Sequence, residues 1–147
     1  MSAVDPWPFI EIDDVIALHS DAMVKYGGQD SQPKPGCVDS SVHGAVTAAM
    51  YADDEPDLLS AVAYLLFYLA KNHCFVDGNK RVAWAAAIRT LEINGFRVQG
   101  EELEAASLVE RVASGDVDVE FVIRWFGSPG RLCADDSPLS RPSPQTS

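Results

Sequence analysis

From Leu58 to Ala70 every residue except Ser60 is apolar. Such a run, apolar nearly all round a helical wheel, predicts a central helix over Asp57–Asn72 that is covered on several sides. It is too short to read as a membrane span, which needs about 20 apolar residues. A second helix is expected over Asn79–Asn94. There Ala83, Ala86, Ala87, Thr90 and Leu91 form a small-residue face for close packing against the first. Trp84 and Ile88 add bulk beside that face, and Gly95 stops the helix. Two packed central helices make the fold class all-α, with at most short strands.

The rest of the chain supplies the cover. Ile10-Glu11-Ile12 alternates as a short edge strand would, and Asp13 or Asp14 can cap a helix to Tyr26. Val15, Leu18, His19, Ala22, Met23 and Tyr26 share its inward face, and Gly27-Gly28 ends it. His19 reads as a partly buried member of that face. Residues 27–39 form a polar, proline-broken loop, long enough to be either a surface connection or a flap over a site. Asp39 or Ser40 can cap the next helix, to about Tyr51, with Val42, Ala45, Val46, Ala49 and Met50 inward and His43 outside the stripe. Asp53-Asp54-Glu55-Pro56 reads as a turn. After an extended piece at Phe96-Arg97-Val98 comes a helix over 101–113, with Leu103, Ala106, Val109 and Val112 inward. A last helix, capped by Asp116 or Asp118, runs to about Phe126. Residues 1–127 are expected to be one domain, and residues 128–147, rich in Ser and Pro, a disordered tail.

Charge narrows the function. The net charge is −11, from 22 acidic against 11 basic residues, which argues against nonspecific nucleic-acid binding. An acidic body makes the cations Lys71, Lys80, Arg81 and Arg89 more notable, and a basic spot on it suits a small polyanion such as a nucleotide. The cysteines, Cys37, Cys74 and Cys133, are odd in number and widely spaced, so neither a disulfide framework nor a zinc site is expected, and a reducing compartment fits. The start of the chain lacks a basic region and a signal-type apolar stretch, so the expected location is cytoplasmic and no membrane partner is expected.

Between the central helices lies His73-Cys74-Phe75-Val76-Asp77-Gly78-Asn79-Lys80-Arg81. It reads as a loop feeding a helix N-terminus, where backbone N–H groups lack internal acceptors and the dipole favours an anion. Lys80 and Arg81 oppose that dipole, although stability alone would place acids in a first turn. A local rule broken beside a glycine points to a bound anion. The bland reading is an Asp-Gly turn between helices; the combination of residue types over the full nine residues speaks against it. By residue type, His73 is the candidate general base. Asp77 is a candidate Mg²⁺ ligand. Gly78 lets the backbone approach phosphate, and the N–H groups of Gly78, Asn79 and Lys80 can form a cradle. The Asn79 side chain can fix the loop or donate to phosphate. Lys80 and Arg81 can neutralise charge on transferring phosphate oxygens. Phe75 is expected to be an apolar plug that anchors the loop. Cys74 as a nucleophile is a weaker reading.

The same stretch resembles the motif of the Fic/Doc family, usually His-x-Phe-x-(Asp/Glu)-Gly/Ala-Asn-x-(Lys/Gly)-Arg with some variation in spacing, at His73, Phe75, Asp77, Gly78, Asn79 and Arg81. Lys80 stands where AMP-transferring members usually carry Gly, and lysine there is typical of the Doc branch of toxins. The resemblance implies a helical bundle around two central helices. It implies ATP with Mg²⁺ as donor and transfer of the γ-phosphate to a Ser or Thr hydroxyl of a protein. The family target it suggests is the translation elongation factor EF-Tu, so that translation is blocked. It also implies a cognate antitoxin, because no self-inhibiting Ser/Thr-x-x-x-Glu-Gly/Asn helix is found; Ser107-Leu108-Val109-Glu110 has the wrong spacing. The alternatives are a Fic-type AMP-transferase, in which the α-phosphate sits in the cradle, and a catalytically silent binding module of the same fold. A metal nuclease fits poorly with a lone carboxylate and an acidic surface.

Overall fold

The computed structural model describes residues 7–52 and 57–134. Among them are six helices and two three-residue strands: α1 (Ile12–Tyr26), α2 (Cys37–Ala52), α3 (Leu58–Lys71), α4 (Asn79–Ile93), β1 (Phe96–Val98), α5 (Glu102–Ala113), α6 (Val119–Phe126) and β2 (Leu132–Ala134). The architecture is all-α. Helix α3 is the axis and packs against α2, α4, α5 and α6, while α4 lies between α3 and α1. Ala61, Val62, Ala63, Leu65, Leu66 and Leu69 of α3 are essentially without solvent contact, as its composition requires. Truncating one of them, such as Leu65→Ala, would cost about 2–5 kcal/mol through lost burial and the cavity left behind. Ala83, Ala86, Ala87, Thr90 and Leu91 of α4 are fully buried, so the small-residue face is the one that meets α3. Thr90 is tolerated there because its hydroxyl donates to the Ala86 carbonyl at 2.8 Å. Among the described residues no helix is long and apolar enough to cross a membrane.

Several boundaries differ from the sequence expectation, each for a local reason. Ile10–Ile12 is not a strand: Glu11 is the cap of α1, and the Asp14 carboxylate accepts the Glu11 N–H at 3.3 Å. Three alternating residues cannot outweigh that helix start. Tyr26 is half exposed rather than inward. Helix α2 begins at Cys37, ahead of Asp39, because Pro35-Gly36 turns the chain and Ser40 N–H already reaches the Gly36 carbonyl at 3.0 Å. On α5 the buried stripe is Leu108, Val109 and Val112, whereas Leu103 and Ala106 are exposed. Steps of three drift off a helical face: nine residues at 3.6 per turn put Leu103 about half a turn from Val112.

The expected disorder from residue 128 begins too early. Residues 132–134 pair antiparallel with β1, Phe96 opposite Ala134, Arg97 opposite Cys133 and Val98 opposite Leu132. Arg131 holds this return in place, with its guanidinium 3.9 Å over the Trp125 ring and donating to the Gln99 carbonyl at 3.0 Å. Trp125 in turn meets Trp84 edge-on at 5.9 Å. Residues 135–147 and the turn expected at Asp53–Pro56 lie outside the described residues.

Candidate active site

The loop between α3 and α4 brings the motif residues to one shelf at the N-terminus of α4. Helix α3 ends at Lys71, and the chain reverses through His73, whose φ of 52° is the one positive value of a non-glycine residue among those described. Such a backbone costs of order 1–2 kcal/mol and persists where surrounding contacts enforce it. The His73 side chain is exposed, as are Asp77, Lys80 and Arg81. Phe75 is 4% exposed and stacks on the His19 ring with centroids 3.7 Å apart, so it is the buried plug its composition suggests.

Asn79 resolves one open expectation. Its Oδ1 accepts the Phe75 N–H at 3.0 Å and its Nδ2 donates to the Phe75 carbonyl at 2.9 Å. Both ends of the amide are spent on the loop, so the side chain fixes the backbone and does not reach for phosphate. Gly78 is the cap of α4 with φ 80°, a left-handed conformation that suits glycine. A Cβ there would run into Met23 of α1.

The open N–H groups are not quite those expected for a cradle. The Gly78 N–H already donates to Asp77 Oδ1 at 2.8 Å. The first helical bond of α4 is Val82 N–H to the Gly78 carbonyl at 3.0 Å. The N–H groups left without a helical acceptor are therefore those of Asn79, Lys80 and Arg81. Lys80 Nζ lies 2.7 Å from Glu110 Oε1 of α5, with both side chains more than half exposed. A pair that open is worth about 0–1 kcal/mol and parts easily for a polyanion. The Arg81 guanidinium rests 4.1 Å over the Tyr26 ring.

Asp77 is the point where three segments meet. Its Oδ2 accepts the Gln29 N–H at 3.1 Å, and its carbonyl takes a hydrogen bond from His19 Nε2 at 2.7 Å. Each carboxylate oxygen holds one N–H and keeps a lone pair. An exposed hard oxygen beside open N–H groups fits Mg²⁺ completed by phosphate oxygens and water. Among the described residues no group of three or more His, Cys, Asp or Glu gathers to hold an ion, so the fit rests on Asp77 alone.

The segment from Gly27 to Gly36 lies along the motif loop in antiparallel sense. Besides Gln29, Ser31 Oγ accepts the Val76 N–H at 3.3 Å and Lys34 N–H donates to the Cys74 carbonyl at 2.8 Å. Of the two readings of this loop, surface connection or flap, the contacts place it against the site.

The cysteine expectation is overturned. Cys37 and Cys74 form a disulfide with Cα atoms 5.4 Å apart, tying the first residue of α2 to the residue after His73. Chain spacing carries no trace of it, because only the fold brings α2 beside the motif. Closing the 37-residue separation reduces unfolded-state entropy by an amount worth about 3–4 kcal/mol. Cys74 is thereby excluded as a nucleophile, and the argument for a reducing compartment from unpaired cysteines falls. Cys133 is the free cysteine.

His19 also differs from the sequence expectation. It is fully buried, not partly. The available signal was a polar ring on the same face of α1 as Val15, Ala22 and Met23, all buried.

An all-α domain thus carries, between its two central helices, an open helix start flanked by an exposed imidazole and an exposed carboxylate. The family model described as Fic/DOC family matches residues 9–91, and the chain belongs to that family. It is 34% identical over 116 residues to Toxin Doc of Mycolicibacterium smegmatis, covering 78% of this chain and 87% of that protein. It is 33% identical over 123 residues to Protein kinase doc of Escherichia phage P1, covering 81% of this chain and 96% of that protein.

Proposed function

We propose that this protein is a Doc-like toxin that transfers the γ-phosphate of ATP to a Ser or Thr hydroxyl of a protein, with EF-Tu as the candidate acceptor and blocked translation as the result. The observation that carries the reading is the start of α4. Three N–H groups without helical acceptors, two exposed cations and no first-turn acid follow exposed His73 and exposed Asp77 in the chain. The name of the phage relative, a protein kinase, favours phosphate over AMP transfer. Lys80, a long cation where a glycine would leave room for the AMP-transfer pose, argues the same way. The toxin name of the Mycolicibacterium smegmatis relative supports a cognate antitoxin as partner.

In this reading His73 accepts the proton of the attacking hydroxyl. The hydroxyl oxygen bonds to the γ-phosphorus, and the bond from that phosphorus to the β,γ-bridging oxygen breaks, releasing ADP. The N–H groups of Asn79, Lys80 and Arg81 hold the terminal phosphate in line. Lys80, released from Glu110, and Arg81 offset charge on its oxygens. Asp77 would hold Mg²⁺, which would supply Lewis-acid stabilisation of the phosphate charge. Phe75 and Asn79 keep the loop still, so that His73 and Asp77 face the same space.

The test uses the full chain, a translation extract, and ATP labelled separately at the α and γ positions. Label from γ alone in a protein of the extract is the expected result. Label from α alone would establish the AMP-transferase alternative, and label from neither would leave the silent binding module.

A further inference from the structure

Buried polar groups are expensive unless they do something an apolar residue cannot. His19 is 0% exposed, and its Nδ1 has no hydrogen-bond partner among the described residues. Leaving such an atom unpaired is unfavourable, and a leucine or phenylalanine at the same point of the α1 stripe would avoid it. The other ring nitrogen shows what is gained. Nε2 lies 2.7 Å from the Asp77 carbonyl oxygen. A carbonyl can only accept, so Nε2 carries the hydrogen. The ring plane lies within 10° of that of Phe75. One side chain of α1 therefore grips the motif loop at two places, one polar and one apolar.

The same ring faces the 27–36 segment. Asp30 Oδ1 is 3.6 Å from Nδ1, and the Asp30 carboxylate is held by the Ser20 hydroxyl at 3.2 Å, one residue along α1. Met23, one turn further on, fills the space beside Gly28 and Gly78. Gln29 from that segment donates to the Asp77 carboxylate. The peptide of Asp77 is thus fixed from α1, and its carboxylate from the segment that α1 also anchors.

We propose that His19 is a positioning residue: through Nε2–H and the Asp77 carbonyl it sets the direction of the Asp77 carboxylate and of the first N–H groups of α4. The inference rests on the phosphotransfer reading of this site and adds a residue that touches neither nucleotide nor acceptor. Partners that orient a metal-binding carboxylate typically contribute 10- to 100-fold to metal affinity.

Three full-length variants separate the roles. His19→Phe keeps a ring against Phe75 and loses the donor. His19→Gln places an amide N–H where Nε2–H was. His19→Asn is one methylene too short to reach, and replaces His19→Phe if that variant fails to fold. Circular dichroism and melting report folding. Calorimetric titration of ATP at several Mg²⁺ concentrations reports the site, and amide hydrogen exchange over residues 75–82 reports the loop. The expected result is a roughly tenfold or greater rise in the Mg²⁺ needed for half-maximal ATP binding in folded His19→Phe or His19→Asn, with His19→Gln within about threefold of wild type. Wild-type Mg²⁺ dependence in a folded His19→Phe or His19→Asn, or His19→Gln no better than His19→Asn, would overturn it. If the wild-type protein itself binds no ATP, the phosphotransfer reading fails first. The exchange data then decide: faster exchange at Gly78–Arg81 in His19→Asn but not His19→Gln sustains the loop-setting role, and equal exchange removes it.

Discussion

Helix α4 starts differently from α1 and α5. In α1 the Asp14 carboxylate accepts the N–H of the capping Glu11, and in α5 Glu104 accepts that of Glu101 at 3.1 Å. Both have two acids in the first turn, as the dipole favours. Helices α3 and α6 are capped by Asp57 and Asp118, which accept N–H groups at 3.1 and 3.0 Å. Helix α4 has glycine at its cap, no acid in its first turn, and Lys80 and Arg81 where the acids would stand. Its start is shaped from outside: by His19 on the Asp77 carbonyl, by Asn79 folded back on Phe75, and by the Cys37–Cys74 bond. Local caps make a helix end self-sufficient. Remote braces leave the end open for a ligand while fixing where it is.

The largest expected effect tests whether the open end is the working one. His73→Ala should lower γ-phosphate transfer by roughly 10²–10⁴-fold, the usual loss on removing a general base. Because the side chain is exposed, the melting temperature should hardly move. A variant that melts normally and transfers label at the wild-type rate would break the link between α4 and the chemistry.

Next comes the covalent brace. Replacing both Cys37 and Cys74 by Ser should destabilise the protein by up to about 3–4 kcal/mol, measured by urea unfolding. The same change should speed hydrogen exchange in residues 27–36, whose Lys34 N–H bonds the Cys74 carbonyl. The start of α5 offers the control, since its cap involves no remote covalent cross-link. Equal acceleration of exchange at Glu101–Ala105 would mean the disulfide stabilises the molecule globally and does not brace one site.

A charge reversal sharpens the contrast further. Arg81→Glu gives α4 the first-turn acid that α1 and α5 possess, a gain of about 0.3–1 kcal/mol. It removes the cation over Tyr26, a loss of about 0.5–1 kcal/mol at an exposed ring. The terms nearly cancel, so the melting temperature should stay within about 3 °C while ATP affinity falls at least tenfold. A helix start made more conventional and less able to bind an anion is what the comparison requires. Unchanged ATP affinity would move the nucleotide away from α4.

Much of this was legible in the sequence. The two central helices followed from the unbroken apolar run and from the alanine-rich face, because burial on all sides forces such compositions. The start of α4 was legible too, since Gly78 marks the turn and Lys80 and Arg81 break the first-turn charge preference beside it. What could not be read were relations across the chain. The Cys37–Cys74 bond, the Asp77 carbonyl in front of His19 and the antiparallel run of 29–34 along 74–77 all join residues more than 35 positions apart. Periodicity reports which way a residue faces, and His19 was correctly placed inward. It says nothing of what that residue meets there. Likewise Arg131 and β2 belong to a Ser- and Pro-bearing stretch without apolar rhythm, and contacts with β1, Gln99 and Trp125 place them.

The smallest effect is expected at the conventional end. Glu104 accepts from Arg131 Nη1 at 3.0 Å as well as from the Glu101 N–H. The Arg131 hydrogen bond, then that of Glu101, then the guanidinium charge hold its carboxyl below the usual range. A carboxyl lowered on folding contributes stability above its unfolded pKa and loses that contribution as pH falls through the folded value. Glu104→Gln should therefore melt slightly below wild type at neutral pH, and the gap should close as the pH drops through and below the ordinary carboxylate range. The glutamine oxygen still accepts one hydrogen bond, which keeps the gap small. ATP affinity should not change, because the α5 start binds its own chain. A gap that widens on acidification would reverse the assigned sign, and a loss of ATP binding would show that the self-capped and the open helix starts are not independent.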